Sequence, residues 1–328
     1  MKKNIAVVAG GYSSEYEVSL RSAETVCAAI DPERYNVWEV ILEKETWRAM
    51  LPDGTTSPVD RNSFSFCNSG ETVSVDFAYI TIHGAPGEDG RLQGYFDMLR
   101  IPYSSCGVLA SAMTFNKYVC NRFLQSFGIR ISDSLRLRRG EQIDADAIAG
   151  RLGLPVFVKP NAAGSSYGVA KVKNIVHLSE AVAKAFDEGD EVMIERFVPG
   201  VEVTCGCYRA AGSDIIALPV TEVIPANEFF DYKAKYNGES QEITPARLPE
   251  KLTARIQQET AKIYDILGAA GIIRIDYMIP EDEQPVLLEV NTTPGMTSAS
   301  FIPQQIRAAG LELRDILTDI IENGLHNE

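Results

Sequence analysis

Two strand-like segments near the C-terminus constrain the fold of this chain more than any other feature. They span residues 271–278 and 285–295, and apolar positions alternate with polar or mixed ones in both. The short acidic stretch 281–284 between them is typical of a turn. The pattern therefore predicts an antiparallel β-hairpin.

The register of this hairpin places four polar side chains on one face. If the strands are symmetric about the turn, Asp276 lies opposite Glu289 and Arg274 lies opposite Asn291. Two carboxylates directly across a ladder repel each other unless a positive charge sits between them. Carboxylate oxygens with an amide carbonyl suit magnesium or manganese, as ions that bridge nucleotide phosphates, better than zinc. The alternative is a solvated acidic face on a surface hairpin.

Composition narrows the class of protein. The 328 residues suffice for two or three domains. With 31 basic against 45 acidic residues, the formal charge of −14 argues against nucleic acid or an anionic membrane as the main partner. We find no apolar run of the length that a signal-peptide core or a membrane span needs, so we expect a cytoplasmic protein. The spacing of the six cysteines and three histidines does not fit common zinc sites.

The first third of the chain predicts a parallel α/β unit. A buried strand at residues 4–9 precedes a glycine-rich turn and an amphipathic helix, and strands at 36–42 and 77–82 continue a βαβ-type pattern. The turn lacks the G-x-G-x-x-G spacing of a dinucleotide site, and the chain has no Gly-Lys dipeptide of a P-loop. A nucleotide, if one binds, is held by another device.

The middle third contains a candidate for that device. A strand that ends at Lys159 leads into a loop of small residues, 161–168, and a second strand, 169–172, follows. The backbone N–H groups and serines of such a loop can fold over phosphates. A plain surface hairpin is the other interpretation, and the loop taken alone favours it. A further strand, 191–198, leads to the last third of the chain.

Five separated motifs occur in one order along the chain. They are Gly10-Gly11 with Glu15, Glu17, Val18 and Ser19; His83-Gly84 with Gly87-Glu88-Asp89-Gly90; Lys159-Pro160 with Gly164-Ser165-Ser166; Tyr232-Lys233-Ala234-Lys235-Tyr236; and Glu289, Asn291 and Thr292 with Pro294-Gly295-Met296-Thr297. This set resembles the D-alanine–D-alanine ligases of the ATP-grasp superfamily over nearly the whole chain.

The resemblance implies a three-domain ATP-grasp fold of mixed α/β and α+β class. Residues 1–106 would form a parallel α/β substrate-binding domain. Residues 107–194 would form a central ATP-grasp domain with the phosphate loop. Residues 195–328 would form a C-terminal ATP-grasp domain with the metal and substrate site, so that two α+β domains clasp ATP. The family also implies a homodimer.

The implied reaction is ATP-dependent ligation of two D-alanines to D-alanyl-D-alanine for peptidoglycan precursor synthesis. ATP would phosphorylate the carboxylate of the first D-alanine, and the amine of the second would attack the D-alanyl phosphate. The alternatives are a D-alanyl-D-lactate or D-alanyl-D-serine ligase, or a non-catalytic ATP-binding regulator on the same fold. The regulator is disfavoured because the implied metal ligands, lysines and Arg274 are all present.

The resemblance also implies an ATP site between the second and third domains. Glu195 and the backbone of Val198 would contact the adenine, and Glu202 the ribose hydroxyls. Phe197 would pack against the adenine ring, or simply fill the core. A lone surface lysine is ordinarily solvated, so the lysine roles come from the family alone. The implied phosphate ligands are Lys117, Lys159, Ser166 and Lys235, and the implied ligands of two magnesium or manganese ions are Asp276, Glu289 and Asn291.

The amino-acid site would draw on all three domains. Glu15 would bind the ammonium group of the first D-alanine, although a carboxylate there is also favourable against the helix dipole. With Ser165 and Tyr236 it would form a hydrogen-bonded set that closes a lid over the site. His83 follows a strand, where open α/β sheets bind ligands, and would contact substrate. A structural histidine is the other interpretation.

The reaction centre would lie beside the predicted hairpin. Arg274 and the backbone N–H of Gly295 would stabilise the tetrahedral oxyanion. Ser300 and Phe301 would meet the second D-alanine, with Ser300 toward its carboxylate. The resemblance thus assigns catalysis to Glu15, Ser165, Tyr236, Arg274 and Gly295.

Overall fold

The computed structural model of the chain describes residues 2–162, 164, 168–210, 212, 214–225 and 240–326. Within these ranges the strands form sheets of five, four, six and two strands. The three larger sheets follow one another along the chain.

The first sheet is a parallel α/β unit with an antiparallel edge. Its order is β4-β3-β2-β1-β7, and β1 pairs in parallel with β2 and β7, as the sequence predicted. Val7 packs toward α1 and Val8 toward α2, so β1 is covered on both faces. The elements are β1 (Lys3–Gly10), α1 (Tyr16–Ala29), β2 (Tyr35–Leu42), β3 (Trp47–Met50), β4 (Thr56–Pro58), β5 (Ser65–Asn68), β6 (Glu71–Ser74), β7 (Phe77–Ile80) and α2 (Arg91–Leu99).

This topology brings two predicted site residues to one edge. Glu15 follows β1 and His83 follows β7, and the carboxyl ends of parallel strands meet at the same edge of a sheet. The Ser13 hydroxyl donates a hydrogen bond of 2.7 Å to the His83 carbonyl, which ties the two loops together.

The second sheet is antiparallel, with the order β10-β9-β11-β8. Helices α5 and α6 pack their apolar residues on one face, against Val158 and Ile194 among others. Strands β9 and β10 are neighbours, so the small-residue loop between them connects a hairpin. The elements are α3 (Val108–Phe115), α4 (Lys117–Gln125), β8 (Ser134–Arg138), α5 (Ala145–Leu152), β9 (Val156–Pro160), β10 (Ala170–Val172), a 3₁₀ turn (Ile175–His177), α6 (Leu178–Phe186) and β11 (Glu191–Arg196).

The third sheet is also antiparallel, with the order β15-β14-β12-β16-β17 and β13 beside β12. Helix α7 covers one face through Ile256, Ile263 and Tyr264. Helix α8 lies on the opposite face, where Ile302 and Gln305 approach Gly206 of β12. The elements are β12 (Val201–Arg209), β13 (Ile215–Ala217), β14 (Thr221–Pro225), β15 (Ser240–Ile243), α7 (Glu250–Ile266), β16 (Ile272–Ile279), β17 (Val286–Asn291), α8 (Phe301–Ala308) and α9 (Leu313–His326).

The last helix connects the two ends of the chain. Ile316 and Ile320 of α9 join a core cluster with Val7 and Phe77 of the first sheet. The predicted boundary after residue 106 falls between α2 and α3, whereas the one after residue 194 falls inside β11. The division into three domains stays a prediction. None of the described helices combines the length and apolar composition that crossing a bilayer requires.

Candidate active site

The hairpin predicted from the sequence is formed by β16 and β17. Asp276 pairs with Glu289 and Arg274 with Asn291, which confirms the register at these positions. Nearer the turn the symmetric register is wrong, because Tyr277 pairs with Leu287. Leu288 is therefore the extra residue of a β-bulge, which shifts the pairing by one position.

Basic and amide side chains offset the negative charges of Asp276 and Glu289. The Arg274 guanidinium binds Asp276 through two contacts, Nε to Oδ1 at 2.9 Å and Nη2 to Oδ2 at 2.8 Å. Lys117 Nζ lies 3.3 Å from Glu289 Oε2. Asn291 Nδ2 donates to Asp276 Oδ2 at 3.1 Å. The repulsion across the ladder is thus offset by cationic side chains, and a bound cation is not needed to explain the pairing.

The donor set suits a hard cation chemically. Asp276, Glu289 and Asn291 supply carboxylate and amide oxygens at neighbouring positions of two paired strands. Within the described ranges, no group of three or more acidic, histidine or cysteine side chains could hold a metal ion. A metal ion here would thus be held by the carboxylates of Asp276 and Glu289, the amide oxygen of Asn291 and oxygen atoms of a bound substrate.

A cavity of about 660 Å³ is lined by residues from all three large sheets. Every predicted site residue that the structure describes contributes to its lining. These residues are Glu15, His83, Lys117, Lys159, Glu195, Phe197, Val198, Glu202, Arg274, Asp276, Glu289, Asn291, Gly295, Ser300 and Phe301. The predicted residues that lie outside the described ranges are Ser165, Ser166, Lys235 and Tyr236.

One end of the cavity lies on the second sheet. Lys159 Nζ and Glu195 Oε1 are 2.7 Å apart, and their side chains are only 11% and 7% exposed. The Phe197 ring lies 5.9 Å from that of Phe157, and Lys171 Nζ lies 3.9 Å above the Phe197 ring. Phe197 therefore lines the cavity and also packs against its neighbours, and its packing against adenine stays a prediction.

A second region of the cavity lies on the edge of the first sheet. Both Glu15 and His83 are buried, and His83 Nε2 has no hydrogen-bond partner among the described residues. Burial lowers the pKa of His83, although the Glu15 carboxylate acts in the opposite direction. Gly164 approaches so closely that a Cβ atom there would lie 2.2 Å from Glu15 Oε2. A larger residue at this position would displace the Glu15 carboxylate, so Gly164 lies directly against Glu15.

The third region surrounds the start of α8. Ser300 occupies the position that caps this helix, and its hydroxyl shares a 2.8 Å hydrogen bond with that of Thr297. A Cβ atom on Gly295 would lie 2.8 Å from Ser300 Oγ, so these two residues are in close contact. The Arg274 guanidinium carbon lies 5.3 Å from the Phe301 ring centroid.

Comparison with known proteins now identifies the family. The chain matches the model described as D-ala D-ala ligase N-terminus over residues 4–106 and the model described as D-ala D-ala ligase C-terminus over residues 123–322. The chain belongs to the D-alanine–D-alanine ligase family. Membership confirms the predicted family, the mixed α/β and α+β ATP-grasp fold and the assignment as a ligase enzyme.

Similar proteins extend over the full length of the chain. It is 59% identical to the D-alanine–D-alanine ligase of Parabacteroides distasonis, covering 100% of this chain and 99% of the relative. It is 60% identical to that of Phocaeicola vulgatus, covering 98% and 99%. Among solved structures, the VanG D-Ala:D-Ser ligase of Enterococcus faecalis matches with a TM-score of 0.87 at 31% identity, covering 98% of this chain and 99% of that one. The D-alanine–D-alanine ligase of Bacillus anthracis complexed with ATP matches with a TM-score of 0.78 at 32% identity, covering 99% and 97%.

Two members of this ligase's cavity wall were not assigned from the sequence. The Thr204 hydroxyl donates to Asp276 Oδ1 at 2.6 Å, and Glu88 Oε2 accepts a 2.7 Å hydrogen bond from the Gly84 amide. Thr204 carries no local signal, because β12 and β16 are separated by a long stretch of chain. Glu88 stood inside a family motif, which could have indicated it.

Glu88 gives the unfolding free energy a specific pH dependence. Burial raises its pKa from 4.5 to about 7, and the Glu15 carboxylate adds to the shift. The folded state therefore binds more protons than the unfolded state between these values. The Glu88 contribution is present below pH 4.5 and is lost as the pH rises to about 7, by up to about 1.4 kcal/mol per pH unit.

Urea denaturation at several pH values checks this expectation. The free energy of unfolding of Glu88→Gln, minus that of the parent, should increase as the pH rises through this window. Taking the difference cancels other titrating groups such as His83. A difference that stays constant with pH would contradict the assignment.

Proposed function

We propose that the chain ligates two D-alanines to D-alanyl-D-alanine at the expense of ATP, through a D-alanyl phosphate, for peptidoglycan precursor synthesis. The observation that carries the proposal is the cavity, which brings together residues from three sheets. Buried Lys159 and Glu195 lie on the second sheet, the carboxylate pair on the third, and Glu15 with His83 on the first. The names of the full-length relatives support the same substrate.

The second and third sheets form the proposed ATP site. Glu195 and the Val198 backbone contact the adenine, Phe197 packs beside it and Glu202 binds the ribose.

The phosphates of ATP are bound by lysine and serine side chains, namely Lys117, Lys159, Ser166 and Lys235. The ATP complex of the Bacillus anthracis ligase, which matches over nearly the whole chain, supports this choice of nucleotide.

Asp276, Glu289 and Asn291 are the proposed ligands of two magnesium or manganese ions. Such ions, when bound, would neutralise negative charge on the phosphates. Thr204 and Arg274 hold the Asp276 carboxylate in a fixed orientation from two sides, so one ligand is oriented in advance.

The remaining residues orient the two amino acids. Glu15 binds the ammonium of the first D-alanine, and neutral His83 contacts that substrate through Nε2. Arg274 and the Gly295 N–H stabilise the oxyanion that forms when the second amine attacks. Ser300 binds the carboxylate of the second D-alanine, and Phe301 lies beside its side chain. Ser165 and Tyr236 remain assigned to the lid contact with Glu15, which keeps water from the acyl phosphate.

The direct test is substrate-dependent phosphate release. Purified protein is given ATP with D-alanine, L-alanine, D-serine or D-lactate, alone and in mixtures, and products are identified by mass. We expect phosphate release with D-alanine alone and a product of the mass of D-alanyl-D-alanine. A mixed D-alanyl-D-lactate or D-alanyl-D-serine product in preference to the dipeptide would favour the alternative ligases. ATP binding without turnover would favour the regulator.

Loss of one metal ligand should slow this reaction. We expect Glu289→Gln to lower kcat by at least about tenfold, or roughly 1.4 kcal/mol of transition-state stabilisation, because an amide binds a divalent cation more weakly than a carboxylate. The magnesium concentration for half-maximal rate should rise as well. Glu180→Gln, on the exposed face of α6, is the matched control. Full activity of the parent without any divalent cation would refute the metal assignment.

Two further properties are proposed. The protein is cytoplasmic, as expected from the sequence, and on family grounds it forms a homodimer. Light scattering after size-exclusion chromatography would measure the mass in solution, and a mass near the 36.0 kDa of one chain would contradict the dimer.

A further inference from the structure

Glu242 is an acidic residue of the cavity wall to which no role has been given. It lies in β15, where it pairs with Val223 of β14, and it lines the cavity. Val223 packs against Phe301. Glu242 therefore lies at the end of the cavity that surrounds the start of α8.

A glutamine of α8 fixes one oxygen of this carboxylate. Gln304 Nε2 donates to Glu242 Oε2 at 2.5 Å and to the Ala299 carbonyl at 2.7 Å. Gln304 lies in the first turn of α8, which begins with Phe301 directly after Ser300. The second oxygen, Oε1, has no hydrogen-bond partner within the part of the chain that the structure describes. One oxygen is thus anchored, and the other can accept a hydrogen bond from a ligand.

The surrounding charges favour a cation beside Glu242. Among the described residues, Arg274 is the cationic group whose charge acts on Glu242, and its guanidinium is paired with Asp276 through two contacts. Burial raises the pKa of Glu242, whereas the Gln304 hydrogen bond and the Arg274 charge act in the opposite direction. An ammonium group near Oε1 would further favour the ionised form. The apolar walls formed by Val223 and Phe301 strengthen such an attraction by lowering the local dielectric constant.

An acceptor amino acid brings such an ammonium group into a region where Arg274 repels it. A hydroxy acid such as D-lactate has no positive charge and gains nothing from a carboxylate there. We propose that Glu242 is a specificity-determining residue, which selects acceptors with an ammonium group over hydroxy acids through a charge-assisted hydrogen bond to Oε1. This inference rests on the proposed ligase function and on the placement of the acceptor near Ser300 and Phe301.

The test compares two acceptors in Glu242→Gln, which removes the charge but keeps the size of the side chain. A charge-assisted hydrogen bond contributes enough that the KM for acceptor D-alanine should rise by about tenfold or more, with a smaller effect on kcat. The kcat/KM for D-lactate should stay the same or rise. In a mixture of both acceptors, the ratio of D-alanyl-D-alanine to D-alanyl-D-lactate should therefore fall by about tenfold or more. Glu242→Asp, which keeps the charge, should retain more of the preference.

The outcomes separate this inference from the proposed function. A parent protein that makes no dipeptide would refute the ligase function itself. If the parent makes dipeptide, an unchanged product ratio in Glu242→Gln, or an equal loss of kcat/KM with both acceptors, would overturn the role of Glu242. Should that variant fail to fold by circular dichroism, Gln304→Met frees the carboxylate without removing it. We expect the ratio to fall less there, and an unchanged ratio would again overturn the inference.

Discussion

Arg274→Lys should lower the rate of dipeptide synthesis by about 10²–10³, or about 2.7–4 kcal/mol of transition-state stabilisation. The variant keeps a positive charge, but a lysine cannot reproduce the two-pronged contact with Asp276 that holds the guanidinium in place. The proposed donor would then no longer point to the developing oxyanion. Rapid-quench measurement of dipeptide formation gives the rate.

The same variant should uncouple the two half-reactions. The oxyanion forms when the amine attacks, after the phosphoryl group has been transferred from ATP to D-alanine, so ADP formation in a single turnover should fall less than dipeptide synthesis. D-alanyl phosphate should consequently accumulate, and ADP should exceed dipeptide within that turnover. Arg139→Lys, at an exposed ion pair with Asp190, is the control. A variant in which both products fall in parallel would place Arg274 in phosphoryl transfer instead.

Lys159→Met should destabilise the folded protein by about 3–5 kcal/mol. The substitution keeps the apolar stem but leaves Glu195 as a carboxylate in a position that is only 7% exposed, with its partner at 2.7 Å removed. An unpaired charge in such surroundings keeps its desolvation cost without the compensating attraction. Urea denaturation of the ligand-free protein measures the loss.

A double variant distinguishes the lost pair from lost packing. Lys159→Met with Glu195→Gln should recover most of the stability, because no uncompensated charge remains. Lys184→Met is the control, because it removes a lysine ammonium group from an exposed ion pair with Glu180 on α6. It should change the free energy of unfolding little. If the double variant is as unstable as Lys159→Met, packing and not charge accounts for the effect.

Local pattern was sufficient for some parts of the fold. The β16–β17 pairing could be predicted because its strands are adjacent in the chain and joined by a short turn, and the register at Arg274 and Asp276 followed from the sequence, whereas the bulge at Leu288 did not. The parallel first sheet could be predicted because strand and helix alternate with a glycine-rich turn. Family motifs then indicated residues that line one cavity, although they lie far apart in the chain.

Contacts between distant segments could not be predicted in this way. Thr204 meets Asp276, and Glu242 meets Gln304, through strand and helix packing that leaves no periodic signal in either segment. The pairing of Arg274 with Asp276 was missed for a different reason. Charges two residues apart on a strand share a face, but alternation alone does not distinguish a contact between them from a shared ligand.

The bulge at Leu288 determines which insertions and deletions in the β16–β17 hairpin this ligase can tolerate. One surplus residue between the turn and Glu289 is absorbed there, so the turn end of the hairpin and its carboxylate end follow separate registers. Changing the length of the loop at residues 280–285 need not disturb Asp276 and Glu289, since the paired residues on both sides of the bulge stay in place. Deleting Leu288 itself would remove the surplus residue and leave Glu289 opposite Asp276 and Leu287 opposite Tyr277 in a continuous ladder. We therefore expect loop-length variants and the deletion of Leu288 to keep Glu289 opposite Asp276 and to remain active, whereas an insertion or deletion between Glu289 and Asn291 would move Asn291 out of register and should inactivate the protein.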